Sequence, residues 1–158
     1  MGWKDFKKTG QVQTDSMFGD MNLLIVDDEQ GILKTLAESF RGLFTVYTAD
    51  SGEKALRIFK EKEVQIVLSD QRMPVMTGVE LFAILKAINP LPVRILLTGY
   101  SDINVVIRGL NDGLMWKYVT KPWNTEDLKA LVRQGARHYI KLVAAAERER
   151  EAMKAEQR

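Results

Sequence analysis

Cysteine is absent from this chain of 158 residues. That excludes disulfides and thiolate-held zinc or iron–sulfur centres, and it fits a reducing compartment. No apolar stretch approaches the roughly 20 residues that a membrane-spanning helix needs. The opening Met1-Gly2-Trp3-Lys4-Asp5-Phe6-Lys7-Lys8 lacks the apolar core of a secretory signal. A cytoplasmic location without membrane contact is therefore expected. Charge of one sign is also scarce: a formal net charge of +2 gives no footprint for nucleic acid, and no direct nucleic-acid contact is expected. Histidine occurs once, at His138 beside Tyr139 in a helical segment, where packing or surface exposure fits better than catalysis. No Gly-rich phosphate loop occurs either.

What is present is a regular alternation. A hydrophobic content of 46% is enough for one buried core. Apolar, β-branched runs of strand length fall at Leu23–Val26, Phe44–Thr48, Val64–Leu68, Val93–Leu97 and Met115–Val119. Between them lie segments with helical spacing. The first places Ile32, Leu33, Leu36, Ala37 and Phe40 on one face and stops near Gly42. The second is entered through Ser51, and the third runs from Thr77 to Ile88 before Asn89-Pro90. The fourth spans Ile103 to Leu110, entered at Ser101 or Asp102, and the fifth starts from a cap at Asn124.

Five strand–helix alternations call for an α/β fold, a doubly wound parallel sheet in the order 2-1-3-4-5. The domain is expected over residues 21–140, after a flexible arm at 1–20 and before a helical linker or tail at 141–158. The final helix continues the steps Leu128, Val132, Gly135, Tyr139, Leu142, Ala146, Glu149 and Met153. Gly135 and Glu149 interrupt that seam, so a coiled coil and a solvated tail both remain open.

The chemistry-bearing residues stand at strand ends. Asp70 opens Asp70-Gln71-Arg72-Met73-Pro74-Val75-Met76-Thr77-Gly78 directly after the third apolar run. An acid there is placed where open α/β sheets bind ligands, and its carboxylate can attack a phosphoryl group. Asp27 and Asp28 end the first run. They suit a cation site, but taken alone they fit a helix cap with an acidic first turn better. Three converging carboxylates repel one another unless a hard divalent cation such as Mg²⁺ neutralises them. Thr98 ends the fourth strand, where a hydroxyl can bond a phosphoryl oxygen, and Gly99 leaves room for it. Lys121, in Thr120-Lys121-Pro122-Trp123, offers a compact positive charge. A cis bond at Pro122 would turn that lysine inward. Singly, Thr98 and Lys121 also read as an ordinary strand residue and a surface lysine. Jointly, at the carboxyl ends of different strands, the set supplies what phosphoryl transfer needs.

These residues resemble the receiver domain of bacterial two-component response regulators. The matching positions are Asp27-Asp28, Asp70 with Met73-Pro74 and Gly78, Thr98-Gly99 and Lys121-Pro122. The resemblance implies a flavodoxin-like (βα)5 fold and Mg²⁺-dependent transfer to Asp70 from the phosphohistidine of a sensor histidine kinase. It implies metal ligation by Asp27, Asp28, Asp70 and the backbone carbonyl of Arg72. It also implies a switch in which Thr98 moves toward the phosphoryl group and Tyr118 changes rotamer. The partners implied are the kinase and an output domain or protein. A homodimer would form through the fourth helix, fifth strand and fifth helix, or through the C-terminal helix. The wording around Asp70, Thr98 and Lys121 is similar to receivers joined to HD-GYP phosphodiesterases or hydrogenase-type regulators. The long last helix favours a piece cut within a linker over a stand-alone regulator.

Arg72 and Tyr100 follow Asp70 and Thr98 by two residues, and both are bulky enough to shield a phosphoryl group. Slow self-dephosphorylation is the expectation. A phosphatase of the haloacid dehalogenase type would need an acid where Arg72 stands. A flavin or nucleotide carrier would press its phosphate against Asp27, Asp28 and Glu29. The chain is thus expected to be no enzyme beyond its own phosphorylation and dephosphorylation. A scaffold with a vestigial site would not need these residues intact.

Overall fold

In the computed structural model, which describes residue 4 and residues 18–157, five strands alternate with five helices. The strands are β1 (Asn22–Val26), β2 (Thr45–Ala49), β3 (Ile66–Asp70), β4 (Val93–Thr98) and β5 (Lys117–Thr120). The helices are α1 (Gln30–Phe40), α2 (Gly52–Glu61), α3 (Gly78–Ile88), α4 (Ile103–Asn111) and α5 (Thr125–Glu156). All pairings are parallel, in the order β2-β1-β3-β4-β5, as the alternation requires.

The two-residue period of the strands divides the core into two layers. Leu23, Ile25, Ile66, Leu68, Val93, Ile95 and Leu97 point to one face, where α1 and α5 cover them. Leu24, Val26, Val67 and Leu96 point to the other, where α2, α3 and α4 supply Ala55, Phe59, Leu81, Phe82, Leu85 and Val106. Burial on both faces explains why the central strands read as continuous apolar runs. Each fully buried Leu, Ile or Phe contributes about 1.5–3 kcal/mol relative to exposure.

Local signals act where expected. Ser51 Oγ accepts from the Lys54 N–H at 3.2 Å, Asn124 Oδ1 from the Asp127 N–H at 3.0 Å, and Thr77 and Glu80 form a capping box. Gly42, at φ 91°, ends α1 in the left-handed region. α4 behaves differently. A 3₁₀ turn over Tyr100–Asp102 precedes it, and neither Ser101 nor Asp102 caps it with a side chain. Asp102 has φ −102° and ψ 16°, not the extended backbone of a capping residue.

Several boundaries move. The expected arm at residues 1–20 is too long at its inner end: Phe18 is fully buried, stacked on Phe44 at 5.8 Å. Residues 1–3 and 5–17 of that arm lie outside the described residues. Packing of α5 continues past residue 140, since Val143 is buried, and the helix is exposed from Arg148 onward. β2 starts one residue later than its apolar run suggests, and β3 and β5 start two residues later. Gly135 lets α5 lie close to the sheet, because a Cβ there would come within 3.2 Å of the Trp116 ring and 3.3 Å of Val93. Among the described residues, no helix is long and apolar enough to cross a membrane.

Arg94 is the exception inside β4. It is buried, and its guanidinium donates to the carbonyls of Leu114 (2.7 Å), Pro92 (3.0 Å), Pro90 (3.3 Å) and Gly113 (3.3 Å). Those bonds tie the loop before β4 to the loop before β5 and compensate the desolvated charge. Burial still lowers its pKa.

Candidate functional site

Register brings the expected residues to one edge. Val26 pairs with Ser69, Asp70 with Leu97, and Thr98 with Thr120, so Asp27, Asp70, Thr98 and Lys121 emerge at neighbouring strand ends. The loops leaving those ends are held by backbone bonds from Asp27 N–H to Ala49 (3.1 Å), Gln71 N–H to Leu97 (2.9 Å) and Lys121 N–H to Thr98 (2.9 Å). Gly78 lets α3 start against the sheet: a Cβ there would lie 2.5 Å from the Asp70 carbonyl oxygen and 2.7 Å from Leu96 Cδ1. Gln71, which the sequence reading passed over, is buried and accepts from the Val79 N–H at 2.9 Å, fastening α3 to this loop.

Asp27, Asp28 and Asp70 each offer a carboxylate oxygen, and the three oxygens lie within 4.8 Å of one another. Asp27 and Asp70 are buried. Asp27 Oδ1 accepts from the Glu29 N–H at 2.9 Å, whereas its Oδ2 is buried without a hydrogen-bond partner. Burial is the main reason the Asp27 carboxyl is pushed up to about 6. The Glu29 bond and Lys121 pull it down, and the Asp70 and Asp28 charges push it up. An orphaned carboxylate oxygen beside two further acids, all hard oxygen donors, fits a Mg²⁺ ion.

Lys121 reaches into the cluster, with Nζ 2.5 Å from Asp70 Oδ1. The contact is an ion pair without hydrogen-bond alignment, since Asp70 Oδ1 has no hydrogen-bond partner. The Lys121–Pro122 peptide is cis. A cleft of about 220 Å³ opens over these groups, lined by Asp70, Gln71, Arg72, Thr98, Gly99, Ser101, Asp102 and Lys121. Gly99 leaves open space where a Cβ would stand.

The two bulky neighbours part company. Tyr100 is 78% exposed and does not line the cleft, so it shields nothing in this conformation. Arg72 lines the cleft but is tied to Asp102 and Ser101. Asp102 and Ser101 carry no local signal for this role; only the approach of two loops distant in sequence reveals it. Tyr118, the expected switch aromatic, sits partly exposed on β5 opposite Leu96. His138 lies outside the site, stacked on Trp116 at 5.2 Å.

Comparison with known proteins agrees with this geometry. The family model for the response regulator receiver domain matches residues 23–133. The hydrogenase transcriptional regulatory protein HoxA of Cupriavidus necator is 37% identical over 116 residues, 71% of this chain and 23% of that protein. The DNA-binding transcriptional regulator NtrC of Escherichia coli is 30% identical over 73% of this chain and 24% of its own length. The chain thus spans about a quarter of the length of these curated relatives. Among solved structures, the signal receiver domain of an HD domain-containing protein from Pseudomonas fluorescens superposes with a TM-score of 0.72 at 30% identity, covering 76% of this chain and 97% of that one. An adenylate cyclase structure from Rhodopirellula baltica gives 0.80 at 30% identity, over 83% of this chain and 98% of that one.

Proposed function

The chain belongs to the response regulator receiver domain family of two-component signalling, and we propose from that premise that Asp70 is its phosphoacceptor. The observation that carries the reading is the convergence of three carboxylates within 4.8 Å, with the Lys121 ammonium on Asp70.

Asp70 attacks the phosphorus of a kinase phosphohistidine. An O–P bond forms, the N–P bond breaks, and the imidazole nitrogen keeps the electron pair and takes up a proton. Lys121 offsets negative charge on the Asp70 side, and Thr98, two strand ends away from Asp27, offers a hydroxyl to a phosphoryl oxygen. Mg²⁺, held by Asp27, Asp28, Asp70 and the Arg72 carbonyl, would neutralise the oxygens of the transferring group. In this reading the chain modifies only itself and works in the cytoplasm, where a sensor kinase presents its phosphohistidine. Phosphorylation then shifts the population of two conformations and changes contacts with an output domain, a partner protein or a second copy. The exposed Ile103, Ile107 and Leu110 on α4, with Tyr118 on β5, support an output face on α4, β5 and α5 that contacts protein and not nucleic acid.

Incubation with acetyl phosphate and Mg²⁺, followed by intact-mass and peptide analysis, tests the proposal. One hydroxylamine-labile phosphoryl group on Asp70 is expected, lost with EDTA and in D70N. No adduct, or an adduct elsewhere, overturns it.

A further inference from the structure

Arg72 and Asp102 close one side of the cleft from opposite loops. Arg72 Nε lies 3.1 and 3.3 Å from the two carboxylate oxygens of Asp102, its second nitrogen donates to Asp102 Oδ1 at 3.2 Å, and the same nitrogen donates to Ser101 Oγ at 2.9 Å. The Thr98 hydroxyl turns the same way, toward Asp102 Oδ2 at 3.4 Å and the Gly99 carbonyl at 3.3 Å. One carboxylate therefore holds the guanidinium and lies within reach of the hydroxyl, both of which line the cleft with Asp70. The Asp102 side chain is only 13% exposed, against 70% for Arg72, so the acid is the enclosed partner and the arginine the solvent-facing one.

Asp102 also forgoes its ordinary role. It stands directly before α4 but makes no capping bond. An aspartate at a helix start stabilises it when its carboxylate accepts from the free N–H groups of the first turn. Here the carboxylate is engaged across the cleft instead.

We propose that Asp102 is a positioning residue: it holds Arg72 and the Thr98 hydroxyl in a latch, and a phosphoryl group on Asp70 opens that latch. The inference rests on Asp70 being the phosphoacceptor. A phosphoryl group carries about −1.5 to −2 charges at neutral pH and three strong acceptor oxygens. It competes well with a single carboxylate for a planar, five-donor guanidinium, and it accepts the threonine proton as well. When both donors leave, the link between the loop after β3 and the loop after β4 breaks, and the start of α4 is released. The latch thus connects chemistry at Asp70 to the helix whose apolar side chains are exposed.

Beryllofluoride with Mg²⁺, titrated against tryptophan fluorescence, tests this in wild type, D102N, R72Q and the double variant. Asp102 competes for its donors through a partly exposed pair, so D102N should bind beryllofluoride about two- to fivefold more tightly. The gain should shrink in the R72Q background, because there the guanidinium is no longer held back. Simple relief of charge repulsion predicts the opposite: an equal or larger gain without Arg72. No gain, or a gain as large in R72Q, overturns the latch. Should D102N not fold, the Arg72 Nε–H resonance of the unmutated chain decides. Slow solvent exchange that is lost on adding beryllofluoride supports the latch, and exchange as fast as that of free arginine overturns it. An unmutated chain that ignores beryllofluoride removes the phosphoacceptor reading and the latch with it. A normal response that D102N leaves unchanged removes the latch alone.

Discussion

Lys121 Nζ meets Asp70 Oδ1 across β4: the lysine follows β5, the aspartate ends β3, and the two strands are not neighbours in the sheet. The long side chain spans what the backbone separates. It brings a positive charge onto Asp70 within the three-carboxylate cluster.

Removing that charge should leave the buried carboxylates facing one another. K121M is expected to lose about 1–2 kcal/mol of stability in metal-free buffer, the buried-pair penalty discounted for a lysine that is 34% exposed. Millimolar Mg²⁺ should recover part of the loss. Urea denaturation with and without the ion measures both, and an unchanged midpoint would mean that the pair contributes nothing.

Gly78 is where α3 touches the phosphoacceptor strand. In G78A the methyl group would meet the Asp70 carbonyl oxygen at 2.5 Å, so strand or helix must yield. A loss of about 1–3 kcal/mol is expected, together with weaker Mg²⁺ binding because Asp70 shifts. Thermal unfolding and a Mg²⁺ titration read the two effects.

Val75 has φ 70° and is fully exposed, a left-handed conformation that a β-branched residue adopts only at a cost. V75G relieves that cost but loosens the unfolded chain. The balance should be a gain of about 0.5–1 kcal/mol, seen as a higher urea midpoint with Mg²⁺ affinity unchanged.

His138 gives a pH dependence whose sign is fixed by its surroundings. Burial against Trp116, and then the charges of Lys141 and Lys117, hold its pKa below the usual 6.5. The unfolded chain therefore binds the proton more readily than the folded one. Its stabilising contribution is present above the unfolded value and is lost as pH falls toward the lower folded value. H138Q should show a shallower fall in stability than the wild type between about pH 7 and pH 5, measured by urea midpoints. Parallel curves would remove His138 from the account.

Much of this molecule can be read along the chain. Period-two and helical spacing yield the strands and helices, because burial on one face or two is a local matter of which side chains recur where. The carboxyl ends of those strands name Asp27, Asp28, Asp70, Thr98 and Lys121, since a parallel sheet aligns all its strand ends. The remainder waits on tertiary structure. Phe18 looks like part of a polar arm until Phe44 provides its stacking surface. Arg94 breaks an apolar strand until four carbonyls from two loops surround it. Tyr100 and Arg72 are equally placed beside the reactive residues in sequence, yet one turns to solvent and the other is captured by Asp102. Local preference decides which element a residue belongs to. Which loops meet depends on the order and twist of the whole sheet, and no neighbouring residue encodes that by itself.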